Sequence, residues 1–323
     1  MRILFFDTKN YDRASFDKQL EHYPGIEIDY LKTDLAPKTA PLAKGFDAVC
    51  AFVSSDVGAE TMTALHEAGV RLVLMRCAGF NNVDLDKAAM YGIRVMRVPG
   101  YSPEAVAEHA MALALTANRR IHKAYVKVRE NDFSLSGLMG FNFYQKTAGI
   151  VGTGKIGAAM ARICRGFGMK VIAFDPFVKQ EDVKQDVTMV DLDTLMSTSD
   201  FVSIHLPVND GTRGIISAEK LALMKKSAYL INNARAAVLD YDKLIDMLQK
   251  KEIQGAALDV YPIEPLPHDH PLLDLDNVVL TPHIAGCSLD PYDRSYTMLL
   301  EDLDRFFKNE EPKRIYNPDS LKK

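Results

Sequence analysis

The chain has 323 residues. A single hydrophobic core rarely supports a chain of this length, which is sufficient for two domains. Its apolar fraction of 47%, charged fraction of 25% and net charge of −4 are typical of a globular protein and lack the basic excess of nucleic-acid-binding domains. No apolar run approaches the roughly 18 residues that a membrane span needs. The four cysteines show no paired spacing. We therefore expect a cytoplasmic protein with reduced cysteines and no membrane or nucleic-acid partner.

Short apolar runs alternate with helical patterns in the first hundred residues. The apolar runs cover residues 2–6, 48–53, 70–77 and 94–98. The helical patterns lie near residues 12–22, 58–68 and 84–91. Such alternation predicts a parallel sheet covered by helices on both faces.

A long helical pattern follows this first series. Ser102 is a good N-cap residue, and Pro103 suits the first helical position. Residues 103 to about 130 contain no glycine and no internal proline. The pattern predicts one continuous helix of about 42 Å, at the boundary between two domains.

A second series of apolar runs and helical patterns fills the rest of the chain. Its apolar runs cover residues 147–151, 170–174, 201–206, 228–231, 255–260 and 277–281, and a last helical pattern covers residues 292–307. The two series predict two doubly wound α/β domains with parallel sheets.

A glycine-rich loop lies between an apolar run and a helical pattern. Gly152, Gly154 and Gly157 form the GxGxxG pattern, and the next apolar run ends at Asp175. This context is the dinucleotide-binding fingerprint, in which the glycines admit a pyrophosphate and the acid binds the adenosine ribose. The acid would repel a 2′-phosphate, so the pattern favours NAD over NADP. The alternative is a glycine-rich turn followed by an ordinary strand-end acid.

Three polar residues follow predicted strands at the edge where open α/β sheets bind ligands: Arg235, Glu264 and His283. Arginine can bind a carboxylate with two hydrogen bonds, and histidine can exchange a proton near neutral pH. A carboxylate beside the histidine would orient it and favour its protonated form. Together these groups suit the reduction of a 2-oxo acid, whereas each alone could be an ordinary surface or loop residue.

The other histidines carry weaker signals. His205 ends a predicted strand and could touch the cofactor. His109 and His122 lie on the predicted long helix and are interpreted as packing or surface groups. His268 and His270 could bind a metal only with further ligands from elsewhere, so we predict no metal site.

Taken in order, these motifs resemble the D-2-hydroxyacid dehydrogenase family over nearly the whole chain. The resemblance implies that Arg235 binds the substrate carboxylate and that His283, paired with Glu264, is the acid–base group. It also implies NAD as cofactor. Further residues would then line the cofactor site: Thr153, Lys155, Ile156, Pro207, Asn233, Ala234, Asp259 and Gly286.

The resemblance also implies an inserted domain arrangement. A flavodoxin-like substrate domain would comprise residues 1–100 and 288–323, and a Rossmann domain would comprise residues 101–287, with a cleft between them. The long helix after Pro103 resembles the element through which family members dimerise, so we expect a homodimer.

The first half resembles the D-lactate dehydrogenases within this family, over residues 74–85, 98–109 and 133–141. The resemblance implies that the N–H groups of Ala78 and Gly79 help to bind the substrate carboxylate. It also places Tyr101 near the substrate, or alternatively at the domain hinge. The expected reaction is the reduction of pyruvate to D-lactate.

The second half differs from the lactate enzymes. Glu264 and His283 are only 19 residues apart, and Ala236 replaces the glycine that most members carry. The segment 271–277 and the Thr281-Pro-His283 motif after it resemble the glycerate, glyoxylate and phosphoglycerate dehydrogenase branch. A hydroxypyruvate, glyoxylate or other 2-oxo acid reductase is therefore the alternative. A more remote alternative is an NAD-sensing scaffold that binds proteins, against which the complete set of three catalytic residues argues.

Overall fold

The computed structural model describes residues 1–77, 79–80, 82–98, 102–183 and 187–314. The chain divides into two compact units. The first unit comprises Met1–Ser102 and Cys287–Lys323, and the second comprises Pro103–Gly286. The second unit is therefore inserted into the first.

The first unit begins with strands that alternate with helices: β1 (Arg2–Phe5), α1 (Asn10–Leu20), β2 (Glu27–Tyr30), β3 (Ala48–Ala51), α2 (Ala59–Glu67), β4 (Leu72–Met75), α3 (Leu85–Met90) and β5 (Arg94–Arg97). In the described part of this unit, five parallel strands form one sheet in the order β2-β1-β3-β4-β5. This is the flavodoxin-like order, as predicted.

The second unit repeats the alternation: α4 (Pro103–Arg119), α5 (Ile121–Arg129), β6 (Thr147–Val151), α6 (Lys155–Gly166), β7 (Lys170–Phe174), β8 (Thr188–Met189), α7 (Leu192–Thr198), β9 (Phe201–Ile204), α8 (Ala218–Leu221), β10 (Tyr229–Asn232), α9 (Tyr241–Gln249), β11 (Gly255–Leu258) and β12 (Val278–Leu280). Its described strands form a seven-stranded parallel sheet in the order β12-β11-β10-β9-β6-β7-β8. The strand order reverses between β6 and β9, which confirms the Rossmann prediction.

Helix α10 (Leu289–Phe307) returns the chain to the first unit. It packs against α1, where the rings of Phe16 and Tyr296 stack with centroids 4.1 Å apart. Consecutive residues of β4 face opposite sides of the sheet: Leu72 and Leu74 join the core under α1 and α10, and Val73 joins the core under α2 and α3. Burial on both faces explains why the strands are continuous apolar runs.

The sheet of the second unit is also covered on both faces. Helices α4 and α6 bury alanine-rich faces on one side, including Ala110 and Ala159, and the side chains of α7, α8 and α9 form the core on the other side. Small residues on α4 and α6 let these two helices pack closely against each other and against the sheet.

The prediction of one continuous helix after Pro103 is wrong. The helix breaks at Arg120, which has a left-handed φ of 51°. The break lies where the helix stops packing against the core. Helix α4 has buried residues as far as Asn118, whose side chain forms hydrogen bonds with the backbone of Phe141. Helix α5 buries no residue. No glycine or proline marks this position in the sequence.

The apolar runs also failed to predict two strands. Strand β2 alternates exposed and half-buried residues, and β8 has only two residues, so neither forms an apolar run. Among the described residues, no helix combines the length and apolarity that crossing a bilayer would require.

Candidate active site

Three neighbouring strands carry the predicted catalytic residues at one edge of the second unit. Arg235 follows β10, Glu264 follows β11 and His283 follows β12. These strands are adjacent and parallel, so their carboxyl ends meet at the same edge of the sheet. This is the edge where doubly wound folds bind their ligands.

Glu264 and His283 form a direct pair. His283 Nδ1 lies 2.8 Å from Glu264 Oε2, and the two side chains are 29% and 35% exposed. Burial acts to raise the pKa of Glu264, but the hydrogen bond and charge of His283 outweigh it and hold that pKa below its usual range. The ionised carboxylate can only accept hydrogen bonds, so Nδ1 carries a proton and Nε2 is the nitrogen that can exchange one with a substrate.

The loop around His283 is fixed by a buried acid. His283 has a left-handed φ of 54°, a conformation that costs a non-glycine residue roughly 1–2 kcal/mol. The carboxylate of Asp259 accepts hydrogen bonds from the hydroxyl of Thr281 at 2.5 Å and from the N–H groups of Ile284 at 2.9 Å and Ala285 at 2.8 Å. These bonds lie on both sides of His283 and hold it in the strained conformation.

Tyr261 links the two loops that carry the pair. Its hydroxyl lies 2.9 Å from the carbonyl oxygen of Leu258 and 2.8 Å from that of Thr281. Its backbone N–H donates to Glu264 Oε1 at 2.9 Å. One residue at the end of β11 therefore orients the carboxylate and contacts the loop of the histidine.

A turn after β10 presents Arg235. The buried Asn232 accepts a hydrogen bond from the N–H of Ala234 and donates one to the carbonyl oxygen of Arg235, both at 3.1 Å. Arg235 is half-buried, and its Nη1 donates to the carbonyl oxygen of Ala234 at 2.6 Å. A guanidinium has five N–H donors, so the remaining donors of Arg235 can bind a carboxylate.

Asn233, predicted to line the cofactor site, donates a hydrogen bond through Nδ2 to the carbonyl oxygen of Val106 at 2.8 Å.

The glycine-rich loop has the geometry that a dinucleotide requires. Gly152 has a φ of 97°, and a Cβ on Gly157 would lie 1.8 Å from the Gly152 carbonyl oxygen. A Cβ on Gly154 would meet nothing within 4 Å, so there is open space beside the start of α6. Gly154 is the N-cap of α6 and provides no side-chain cap, which leaves the first N–H groups of the helix for an anion.

Asp175 lies beside this loop. Its Oδ2 accepts hydrogen bonds from the N–H of Thr153 at 2.7 Å and from the hydroxyl of Thr153 at 3.1 Å. Its Oδ1 accepts from the N–H of Phe177 at 2.9 Å. The carboxylate after β7 is thus fixed next to the start of α6, and the residues present fit a dinucleotide.

His205 follows β9 and is buried. Its Nε2 lies 2.9 Å from the hydroxyl of Ser203, and its Nδ1 has no hydrogen-bond partner among the described residues. Burial lowers the pKa of His205 to about 3, so the ring is neutral at physiological pH. It can form hydrogen bonds but is unsuited to proton transfer in the neutral range.

Other predicted positions are less informative. Ala78 and Tyr101 lie outside the described residues, and Gly79 is buried, with its carbonyl oxygen 3.3 Å from the sulfur of Cys77. His270 caps a short 3-10 helix through Nδ1. Throughout the described ranges, no group of three or more histidine, cysteine, aspartate or glutamate side chains could hold a metal ion.

The remaining predicted cofactor residues lie around the same sheet edge. Lys155 and Pro207 are exposed, and three others are half-buried: Ile156, Ala234 and Gly286. Asn232 and Tyr261 were not predicted from the sequence. Asn232 ends β10 and Tyr261 follows β11, and polar side chains at the ends of parallel strands are the signal that could have identified them.

Comparison with known proteins identifies the family. A family model described as D-isomer specific 2-hydroxyacid dehydrogenase, NAD binding domain, matches residues 111–285. The chain belongs to the D-2-hydroxyacid dehydrogenase family. It is therefore an NAD-dependent oxidoreductase that acts on CH–OH groups.

Several members of the family are similar over most of the chain. A D-lactate dehydrogenase from Escherichia coli (strain K12) is 43% identical over 261 residues, which cover 81% of this chain and 79% of that protein. The apo-structure of the Escherichia coli enzyme superposes with a TM-score of 0.91 at 39% identity, covering 98% of this chain and 99% of that one. A glyoxylate reductase from Korarchaeum cryptofilum is 35% identical over 331 residues, covering 100% of this chain and 98% of that protein.

Proposed function

We propose that this dehydrogenase reduces pyruvate to D-lactate with NADH as the electron donor. The observation that carries the proposal is the pair formed by His283 and Glu264, 2.8 Å apart, at the sheet edge that also presents Arg235. A 2-oxo acid needs an acid for its carbonyl oxygen and a cation for its carboxylate, and these side chains supply both.

The roles of the residues follow from their chemistry. The N–H groups at the start of α6 would bind the pyrophosphate, and Asp175 would accept hydrogen bonds from the adenosine ribose. When bound, the nicotinamide supplies a hydride for the carbonyl carbon. Arg235 binds the substrate carboxylate with paired hydrogen bonds and so orients the adjacent carbonyl group.

His283 transfers the proton in this reaction. As the carbonyl π bond breaks, its electron pair moves to the oxygen, and His283 Nε2 donates a proton to that oxygen. The imidazolium becomes neutral imidazole, which is recharged from solvent. Glu264 keeps Nδ1 protonated and stabilises the imidazolium before transfer. In the oxidative direction, neutral His283 accepts the hydroxyl proton.

Pyruvate is favoured by the N-terminal resemblance and by the similarity to the D-lactate dehydrogenase from Escherichia coli. The second candidate, a glyoxylate or hydroxypyruvate reductase, is favoured by the relative from Korarchaeum and by Ala236, which occupies the position after Arg235. Ala236 is half-buried and begins a short 3-10 helix, so its methyl group can alter the shape of the pocket wall beside the substrate.

A substrate panel distinguishes these candidates. NADH oxidation is measured with pyruvate, hydroxypyruvate, glyoxylate and phenylpyruvate, and pyruvate should give the highest kcat/KM. A higher value for hydroxypyruvate or glyoxylate would contradict the proposal. An Ala236→Gly variant, measured on the same panel, tests whether this position sets the preference.

We further propose a homodimer formed through α5 and the segment that follows it. Helix α5 buries no residue, and large apolar side chains after it are exposed: Phe133 at 73%, Leu135 at 82% and Met139 at 90%. Exposed apolar side chains concentrated in one stretch are typical of a protein interface. A second copy of the chain is the occupant that the family resemblance implies.

The oligomeric state is measured by light scattering coupled to size exclusion. The wild type should have twice the mass of the chain, and Leu135→Glu combined with Met139→Glu should shift it towards the monomer. Leu42→Glu is the control, since Leu42 is 55% exposed in the first unit. A monomeric wild type would overturn this proposal.

A further inference from the structure

Asp259 is a buried charge that the catalytic chemistry does not use directly. It is 0% exposed, and its two oxygens accept hydrogen bonds from the hydroxyl of Thr281 and the N–H groups of Ile284 and Ala285. These donors are neutral. A carboxylate removed from water is poorly stabilised unless hydrogen-bond donors surround its oxygens.

His109 places a further hydrogen-bonding group beside this carboxylate. It lies on α4, which packs against β11 and β12, and its side chain is 19% exposed. His109 Nε2 lies 3.5 Å from Asp259 Oδ1 and 3.4 Å from the hydroxyl oxygen of Thr281. Within the described ranges, His109 is the only basic side chain within 4.0 Å of Asp259.

The balance of effects on Asp259 agrees with this pairing. Burial acts to raise the pKa of its carboxyl group, but the hydrogen bonds from His109, Thr281 and the backbone outweigh burial and lower that pKa. The carboxylate therefore stays ionised and keeps its full strength as an acceptor for the loop of residues 281–285.

We propose that His109 is a positioning residue: by pairing with Asp259 and Thr281, it fixes the loop that holds His283 in its left-handed conformation. This inference rests on the acid–base role proposed above for His283. It replaces the interpretation of His109 as a packing or surface group. The imidazole acts on the reaction through the buried carboxylate and does not touch the substrate.

The test compares two variants of the full chain. His109→Phe removes the ring nitrogen donor, and His109→Gln retains a donor near the position of Nε2. We expect His109→Phe to lower kcat for pyruvate about 10- to 100-fold, the effect of a displaced catalytic group. The KM for pyruvate should change less than about twofold, since Arg235 is unaffected. His109→Gln should recover most of the lost kcat. His22→Phe, at an exposed position of the first unit, is the control and should retain the wild-type kcat.

A second measurement does not depend on the substrate. In His109→Phe, peptides that cover residues 281–285 should exchange backbone hydrogen faster than in the wild type. The exchange rates of peptides from the sheet strands of the same unit should be unchanged. Introducing His109→Phe into an Asp259→Asn background should change kcat less than about twofold further, because the buried charge is already gone.

The outcomes separate the two proposals. Unchanged exchange at residues 281–285, or equally faster exchange throughout the second unit, would overturn the positioning role of His109. Failure of His109→Gln to recover kcat beyond the level of His109→Phe would also overturn it. Faster exchange confined to residues 281–285 with an unchanged kcat would support the loop contact and overturn the acid–base role of His283.

Discussion

Replacement of Gly157 by alanine tests the packing of the cofactor loop most directly. The new Cβ would lie 1.8 Å from the carbonyl oxygen of Gly152, whereas real Cβ contacts are essentially never under 3.0 Å. The loop and the helix α6 must therefore move apart by about 1.2 Å. The clashing atom belongs to the backbone, so no side chain can rotate away to relieve the contact.

The expected effect is large. Overpacking of this kind costs about 3 kcal/mol, towards the upper end of the usual range for inserted methyl groups. For a unit of this size that corresponds to a decrease in Tm of about 6–12 °C. The displaced loop should also weaken NADH binding, since the N–H groups at the start of α6 no longer point at the pyrophosphate.

Two other glycines near the same helix are matched controls. A Cβ on Gly166 would meet nothing within 4 Å, and Gly166→Ala lies in the helix, so it should leave stability unchanged or raise it by about 0.5–1 kcal/mol. A Cβ on Gly154 would likewise have no atom within 4 Å, but in Gly154→Ala the methyl group would occupy the space proposed for the pyrophosphate. It should raise the Kd for NADH about tenfold, equivalent to about 1.4 kcal/mol, with little change in Tm.

Thermal unfolding and NADH titration of the three variants provide the assay. We expect a low Tm for Gly157→Ala alone, and weak NADH binding for both Gly157→Ala and Gly154→Ala. If the Tm of Gly157→Ala lies within about 2 °C of that of Gly166→Ala, the tight contact with Gly152 is not the constraint described above.

Three further substitutions test the site. Glu264→Gln keeps a side chain of the same shape but removes the charge that pairs with His283. The neutral amide no longer favours the protonated imidazole, so the pH at which pyruvate reduction falls to half should decrease. An unchanged pH profile would contradict the pairing. Arg235→Lys should lower kcat/KM for pyruvate about 100-fold without changing the Kd for NADH, because lysine cannot form the paired hydrogen bonds. Equal losses in NADH binding would assign the arginine to the cofactor instead. Asp175→Ala should raise kcat/KM with NADPH relative to NADH, measured at a fixed pyruvate concentration, and an unaltered ratio would argue against its role at the ribose.

The buried parts of the fold were predictable from the sequence, and the exposed parts were not. Strands such as β4 and β10 are apolar because both faces of their sheets are covered, and apolarity over four or more residues is visible in a sequence. Strand β2 has exposed positions and carries no such signal. The break at Arg120 has no local cause in the sequence, since it reflects where the packing of α4 ends.

The site followed the same division. The shared position of Arg235, Glu264 and His283 could be predicted because each follows an apolar strand, and parallel strands bring their carboxyl ends to one edge. Their catalytic roles rested on the family resemblance. The contact between His109 and Thr281 could not be predicted, because the two residues are 172 positions apart and nothing in their local sequence indicates proximity. Such contacts depend on how a helix lies across a sheet.

The first unit is built from two separate segments of the chain, and this arrangement affects how it folds during synthesis. The second unit is continuous in sequence and can fold as soon as its last strand leaves the ribosome, whereas the first unit must wait for α10. Until then, one face of the earlier sheet lacks Tyr296, Leu300 and Leu303, which complete its core with Phe16. The nascent chain therefore carries an apolar sheet face covered only in part, by α1, through the whole synthesis of the second unit. During that interval this exposed apolar surface makes the nascent chain prone to aggregation.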